Sequence, residues 1–182
     1  MKTRVKYEDL FHKTLSLMLP DVKKSNIRAS HSSKSNPTGK NFKQSDYTDG
    51  LEGFTNEDNF VYFTVLFDVK GNESFVTPDD KVGVNRDLTL KVSVYGKDAM
   101  NLALQVTSLC RTHTIENYYM NPQHIYLSDT EAIRQVQEVI NGQMWDRRDF
   151  DIKYNETVII EHTLTPLLSE DASVEVVTNG TT

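Results

Sequence analysis

The chain lacks most of what would announce a covalent scaffold, a membrane anchor or a catalytic centre. Cys110 is the only cysteine among 182 residues. No disulfide can therefore form within the chain, which fits synthesis in a reducing compartment. No apolar run approaches the roughly 18 residues that a membrane helix needs, so the chain reads as soluble. The opening MKTRVKYEDLF has no apolar middle region of the kind a secretory leader requires. There is no glycine-rich phosphate loop, no G-x-S-x-G and no H-E-x-x-H. The five histidines, His12, His31, His113, His124 and His162, fall in no metal-ligand spacing. Cys110 and His113 form a C-x-x-H pair, but zinc would need two further ligands and no second pair exists. The pair reads as a packed thiol beside an exposed histidine. No internal repeat is visible, and no cofactor or metal is expected.

What is present suits one domain with decorated ends, because domains commonly run to about 100–200 residues. The net charge of −6 hides an asymmetry. Residues 1–50 hold ten Lys/Arg against five Asp/Glu, whereas the remaining 132 hold ten against twenty-one. A nucleic-acid reader concentrates basic charge on its folded face. Here the folded body is acidic and the basic excess sits in a polar segment, either as a solvated region or as a docking arm for an acidic surface.

Periodicity sets out the elements. Tyr7, Leu10, Phe11, Leu15 and Met18 recur at helical spacing before the stop at Pro20. Residues 25–58 turn polar and rich in Ser, Asn, Gly and Lys, and read as an arm or insertion that Phe42, Tyr47, Leu51 and Phe54 could anchor. FVYFTVLFDV (60–69) is nearly all apolar, as in a strand buried on both faces. Arg86 to Tyr95 alternates, with Leu88, Leu90, Val92 and Val94 on one face. Between the two, Phe75, Val76, Val82 and Val84 flank turn signals, so the strands extend as a long hairpin whose edges need cover. Gly96 breaks the strand, and Asp98 caps a helix to about Arg111 with Ala99, Leu102, Ala103, Val106, Leu109 and Cys110 as its apolar stripe. A short strand follows at His124 to Leu127. Ser128 and Glu131 have capping-box spacing, predicting a second helix that ends at Asn141-Gly142. Phe150, Ile152 and Tyr154 then open a long strand towards Pro166.

These elements predict a single α+β domain: a mixed, mainly antiparallel sheet with two or three helices on one face and a long projecting hairpin. The divisions are an N-terminal helix (1–24), a polar arm (25–58), an α+β core (59–168) and a flexible tail (169–182). Asp79-Asp80 and the group Asp146, Asp149 and Asp151 could serve a small metal-dependent hydrolase. Asp149 and Asp151 alternate with apolar neighbours, though, and Arg147 and Arg148 offer ordinary ion pairs. Tyr118, Tyr119 and Met120 suit either a protein interface or a plug in the core, and Trp145 carries the same two readings.

The order of elements resembles the tail and neck terminator proteins of tailed bacteriophages. The resemblance rests on the helix ending in Leu19-Pro20, the 60–69 strand and the helix start Tyr95-Gly96-Lys97-Asp98-Ala99. It also rests on the passage from Trp145 through Asp146, Arg147, Arg148 and Asp149 to Phe150 and Asp151. The match covers about residues 6–19 and 60–168, and the segment at 25–56 is longer than the family pattern. The resemblance implies a non-enzymatic virion protein, made in the host cytoplasm, that forms a ring of commonly six copies. Such a ring caps the tail tube and joins it to the head connector, with the sheath as a further neighbour and the genomic DNA passing through unbound. A head-completion or tail-tube-like protein would share that ring logic. On this reading the contact residues are Phe75, Val76, Val82 and Val84 of the hairpin, Phe42 and Tyr47 of the arm, and Trp145, Arg147 and Arg148 at the last strand.

Overall fold

The computed structural model describes residues 4–29, 55–79, 81–140 and 142–160. In chain order the elements are helix α1 (Arg4–Met18), strands β1 (Ile27–Ala29), β2 (Phe60–Val76) and β3 (Val82–Tyr95), helix α2 (Ala99–Leu109), and strands β4 (Ile125–Thr130), β5 (Arg134–Ile140) and β6 (Gln143–Ile160). The sheet is ordered β1-β2-β3-β6-β4, with β5 also pairing β6. Among the described residues only β1 and β2 run parallel; the other pairs are antiparallel. This is the predicted α+β domain.

Directly opposed residues of antiparallel neighbours share a face, so the register fixes what points where. Val61, Phe63 and Val65 of β2, Leu88, Leu90, Val92 and Val94 of β3, and Phe150 and Ile152 of β6 line one buried face. Helix α1 covers it with Tyr7, Phe11, Leu15 and Met18, and the Phe11 ring lies 5.5 Å from that of Tyr154. Helix α2 adds Ala99, Leu102, Ala103, Val106 and Cys110. Each large apolar side chain in this layer stabilises the fold by about 1.5–3 kcal/mol.

Gly96 breaks β3 for a steric reason as well as a conformational one. Its φ is +114°, and a Cβ there would sit 2.3 Å from the Asp58 carbonyl oxygen. The start of α2 corrects one expectation. The Asp98 carboxylate makes no capping bond; it accepts from Asn59 Nδ2 at 3.0 Å while the Asp98 N–H donates to Asn59 Oδ1. Asn59 thereby clamps the entry of β2 to the entry of the helix.

The predicted second helix is strand β5. Its register brings Ile140 opposite Gln143, so β5 runs antiparallel into β6 where a helix end was expected, with Gly142 at φ +75°. Glu131 caps nothing: its N–H donates to the Asp151 carbonyl and its carboxylate pairs with Lys153 at 2.9 Å. The stretch RQVQEVI satisfies both periods, and pairing with β6 selects the strand. Helical turns form earlier, over His113–Ile115, Glu116–Met120 and Asn121–Gln123.

Two further expectations change. β2 is not buried on both faces, since Leu66 is exposed and Tyr62 and Thr64 are half-buried. The polar arm begins with the three-residue strand β1, pairing Ile27 with Val61 and Ala29 with Phe63. Most of the arm (30–54) and the tail (169–182) lie outside the described residues.

Candidate assembly interface

At one end the three long strands run on past a buried ionic bracket. Tyr7 of α1 donates its hydroxyl to Glu156 Oε1 and accepts from Arg86 Nη2, while Arg86 Nε donates to Glu156 Oε2 at 2.6 Å. The Arg86 guanidinium also stacks 4.7 Å from the Phe67 ring centre. Glu156 is fully buried, a position a carboxylate tolerates only when its oxygens are satisfied by such donors. Burial and the bond to Glu156 push the Tyr7 phenol above its ordinary range.

Beyond this bracket β2, β3 and β6 continue as a three-stranded ribbon. Between the pairs Asp68–Asp87 and Glu73–Asn85, β2 carries residues 69–72 where β3 has Arg86 alone. That odd surplus inverts the alternation of β2: odd-numbered residues face the helices before it and face away after it. Phe75 therefore shares a row with Gly83 and Ile159 on the face away from the helices. Its ring lies over Gly83, where a Cβ would come within 2.2 Å of it. Glycine is needed there so that the aromatic ring can lie flat across the strand.

The other face carries Val76 opposite Val82, and Val84 opposite Val158. Val76 is 67% exposed, Phe75 38% and Ile159 39%. Neither core cluster includes any of these residues or Val82, Val84 and Val158. Among the described residues the ribbon thus shows apolar side chains on both faces with no second layer over either. Phe75, Val76, Val82 and Val84 were legible in the sequence. Val158 and Ile159 were not, because the register of β6 against β3 brings them in; their only signal was the apolar run after Glu156.

The remaining predicted contact residues lie elsewhere. Trp145 sits at the opposite end of the sheet, 2% exposed, in a second cluster with Phe60, Tyr95 and Ile140. This is the core alternative of its two readings. Among the described residues its Nε1 meets no hydrogen-bond partner. Arg147 lies over the Tyr95 ring and binds Asp149 at 2.7 Å and Glu138 at 3.1 Å. Burial works against the Arg147 charge, but these partners hold its pKa above the usual guanidinium range. Arg148 pairs with Asp146 at 2.9 Å. Phe42 and Tyr47 lie outside the described residues. The Tyr118–Met120 stretch divides between its readings: Tyr118 is exposed and Met120 buried. A second apolar tip, Val139 opposite Met144 on the β5–β6 hairpin, is also exposed and was missed with the strand itself.

The carboxylates do not converge. Asp146 faces the side of β6 opposite to Asp149 and Asp151, and the latter lies 3.8 Å from Lys91 and 3.9 Å from Arg134. Among the described residues no group of three or more His, Cys, Asp or Glu is placed to hold a metal ion. Cys110 and His113 are similarly separated. The thiol is buried and donates to the Thr107 carbonyl, whereas the imidazole is exposed beside Asn117. Burial pushes the Cys110 thiol up to about 11.

A family model described as phage neck terminator protein matches residues 52–181. That span takes in every element from β2 onward, including the ribbon and both hairpins. A search of curated proteins finds no match.

Proposed function

The chain belongs to the phage neck terminator proteins, structural virion components of the head–tail junction that interact with other head and tail proteins, and from that premise we propose that it works as a closed ring of identical copies built through the ribbon. The ring, of about six subunits by analogy with related terminators, caps the tail tube and joins it to the head connector. One observation carries this reading: a ribbon apolar on both faces and extending past the helix layer. A contiguous apolar surface of that kind marks a protein–protein contact. It sits at one end of an 18-residue strand, about 60 Å long at ~3.3 Å per residue. The other end of that strand carries the exposed pair Val139 and Met144 of the β5–β6 hairpin, and a head-to-tail contact between two distinct patches closes copies into a ring when the rotation closes.

The acidic balance of residues 51–182 suits a passage for DNA. Like charge keeps phosphate from binding to the wall, so the genome slides through. The test is the absolute mass of the purified protein by light scattering over a concentration series. A discrete species near six subunits supports the ring, and a deletion of residues 75–82 should reduce it to a folded monomer. Rings that persist in the deletion variant would exclude the ribbon as the contact. Weak binding to duplex DNA accords with a passive channel; tight, salt-sensitive binding would contradict it.

A further inference from the structure

At the end of β6 away from the ribbon, the hairpin and helix α2 bring exposed apolar side chains to one place. The helix buries Ala99, Leu102, Ala103, Val106 and Cys110 against the sheet. Met100 and Leu104, one turn apart on another stripe of the same helix, are exposed. The entry of α2 is tied to β6 by the Gly96 N–H, which donates to the Asp146 carbonyl at 3.1 Å. Met144 lies two residues before Asp146 on β6, opposite Val139 of β5, and both are exposed. Met144 shares the alternation of Phe150 and Ile152, so it faces the helix side of the sheet, where α2 begins. Helix and hairpin thus form a corner lined by Met100, Leu104, Val139 and Met144.

The exposed side of a surface helix ordinarily carries charge. This chain is 25% charged, yet residues 99–110 and 139–145 hold no Asp, Glu, Lys or Arg. The ribbon matches them, since residues 74–78, 82–85 and 157–160 hold none either. Charge is depleted at the centre of protein contacts. With ten Lys/Arg against twenty-one Asp/Glu over residues 51–182, two copies can meet closely only where like charges are kept apart. The two uncharged surfaces cannot meet within one chain, because Met144 and Val158 stand about 45 Å apart along β6 at ~3.3 Å per residue. Their sizes agree. The 11 residues of α2 make a helix about 16 Å long, and the three strands of the ribbon span about 10 Å across.

We propose that this corner receives the ribbon of the next copy, with Met100 and Leu104 of the helix and Val139 and Met144 of the hairpin packing against Val76 and Ile159. This rests on the ribbon being the contact surface. A ribbon apolar on both faces is covered more completely by two elements meeting at an angle than by one flat surface. The contact is head-to-tail: each copy gives its ribbon to one neighbour and its corner to the other.

Cysteines placed in separate chains, Val76→Cys in one and Met144→Cys in the other, test the pairing with a short bis-maleimide. Each variant alone should give no more cross-linked product than the wild type, whose Cys110 is buried. Their mixture should give a product of one chain of each. A cross-link in Val76→Cys alone would mean that ribbon meets ribbon, which overturns the corner and leaves the ribbon as the contact surface. A second variant, Met100→Gln with Met144→Gln, keeps side-chain length at two exposed positions and should leave the unfolding midpoint unchanged. By light scattering it should be a single chain where the wild type is a ring. Mixed with the Val76→Thr, Ile159→Thr variant it should form a dimer and stop, because that pair retains one intact ribbon and one intact corner. Rings that persist in the glutamine variant overturn the corner alone. A wild type that stays monomeric, or rings that persist in the Val76→Thr, Ile159→Thr variant, would remove the ribbon and the corner together.

Discussion

The same three strands have two different lives in this molecule. Between Tyr95 and the Arg86–Glu156 pair they are the floor of a two-layer domain, with Phe63, Leu90 and Phe150 under the helices. Beyond that pair, Phe75, Val76, Val84 and Ile159 continue the same apolar composition with no layer above them among the described residues. Composition alone does not separate the two regions. What separates them is the bracket at Tyr7, where the helix layer is tied to the sheet by charge, and the insertion at 69–72, which inverts the facing of β2. In the first region apolar residues hold the fold. In the second they are available to a neighbour.

Substitutions should split along this line. The largest effect is expected at Val92→Asp, which places an unpaired carboxylate in the covered region and should cost about 4 kcal/mol or more, enough to prevent folding. Circular dichroism and thermal melts check it. Next comes Glu156→Ala at the boundary, which leaves Arg86 without its carboxylate and should cost about 3–5 kcal/mol, read by urea unfolding. Val76→Thr with Ile159→Thr in the ribbon keeps strand propensity and should change stability by less than about 1 kcal/mol. Its effect should fall on self-association instead. If the ribbon pair destabilised the monomer as much as Glu156→Ala, the division between the two regions would fail.

The smallest expected effect concerns Cys110, at the helix end of the covered region. Its burial favours the neutral thiol, so this group's stabilising contribution is complete below the ordinary thiol range and is lost as pH rises through about 11. In the folded protein near pH 8, labelling by a disulfide reagent should be at least about 100-fold slower than in urea, because only the thiolate reacts. Rapid labelling of the native chain would show that the helix layer opens readily.

The covered region was legible in the sequence because one period dominates each of its segments. Tyr7, Phe11, Leu15 and Met18 could only stripe a helix, and Leu88 to Val94 could only alternate along a strand. β5 was not legible, because Val136, Val139 and Ile140 fit a helix as well as a strand, and Asn141-Gly142 ends either one. The pairing with β6 that decides between them is a long-range fact. The same holds for the ribbon. Its two outgoing strands could be read from Phe75, Val76, Val82 and Val84, whereas the third required the register that brings Ile159 to Gly83. The Tyr7–Arg86–Glu156 bracket joins residues up to 149 positions apart and left no local signature.

The proposed ring requires that the ribbon, and not the helix-backed domain, carries assembly. The most direct measurement compares light-scattering mass and unfolding midpoint for the wild-type chain and the Val76→Thr, Ile159→Thr variant at equal concentration. A discrete ring is expected for the wild type, and for the variant a monomer that unfolds at nearly the same midpoint as the dissociated wild-type chain. Equal masses for the two proteins, with the ring intact in both, would contradict it.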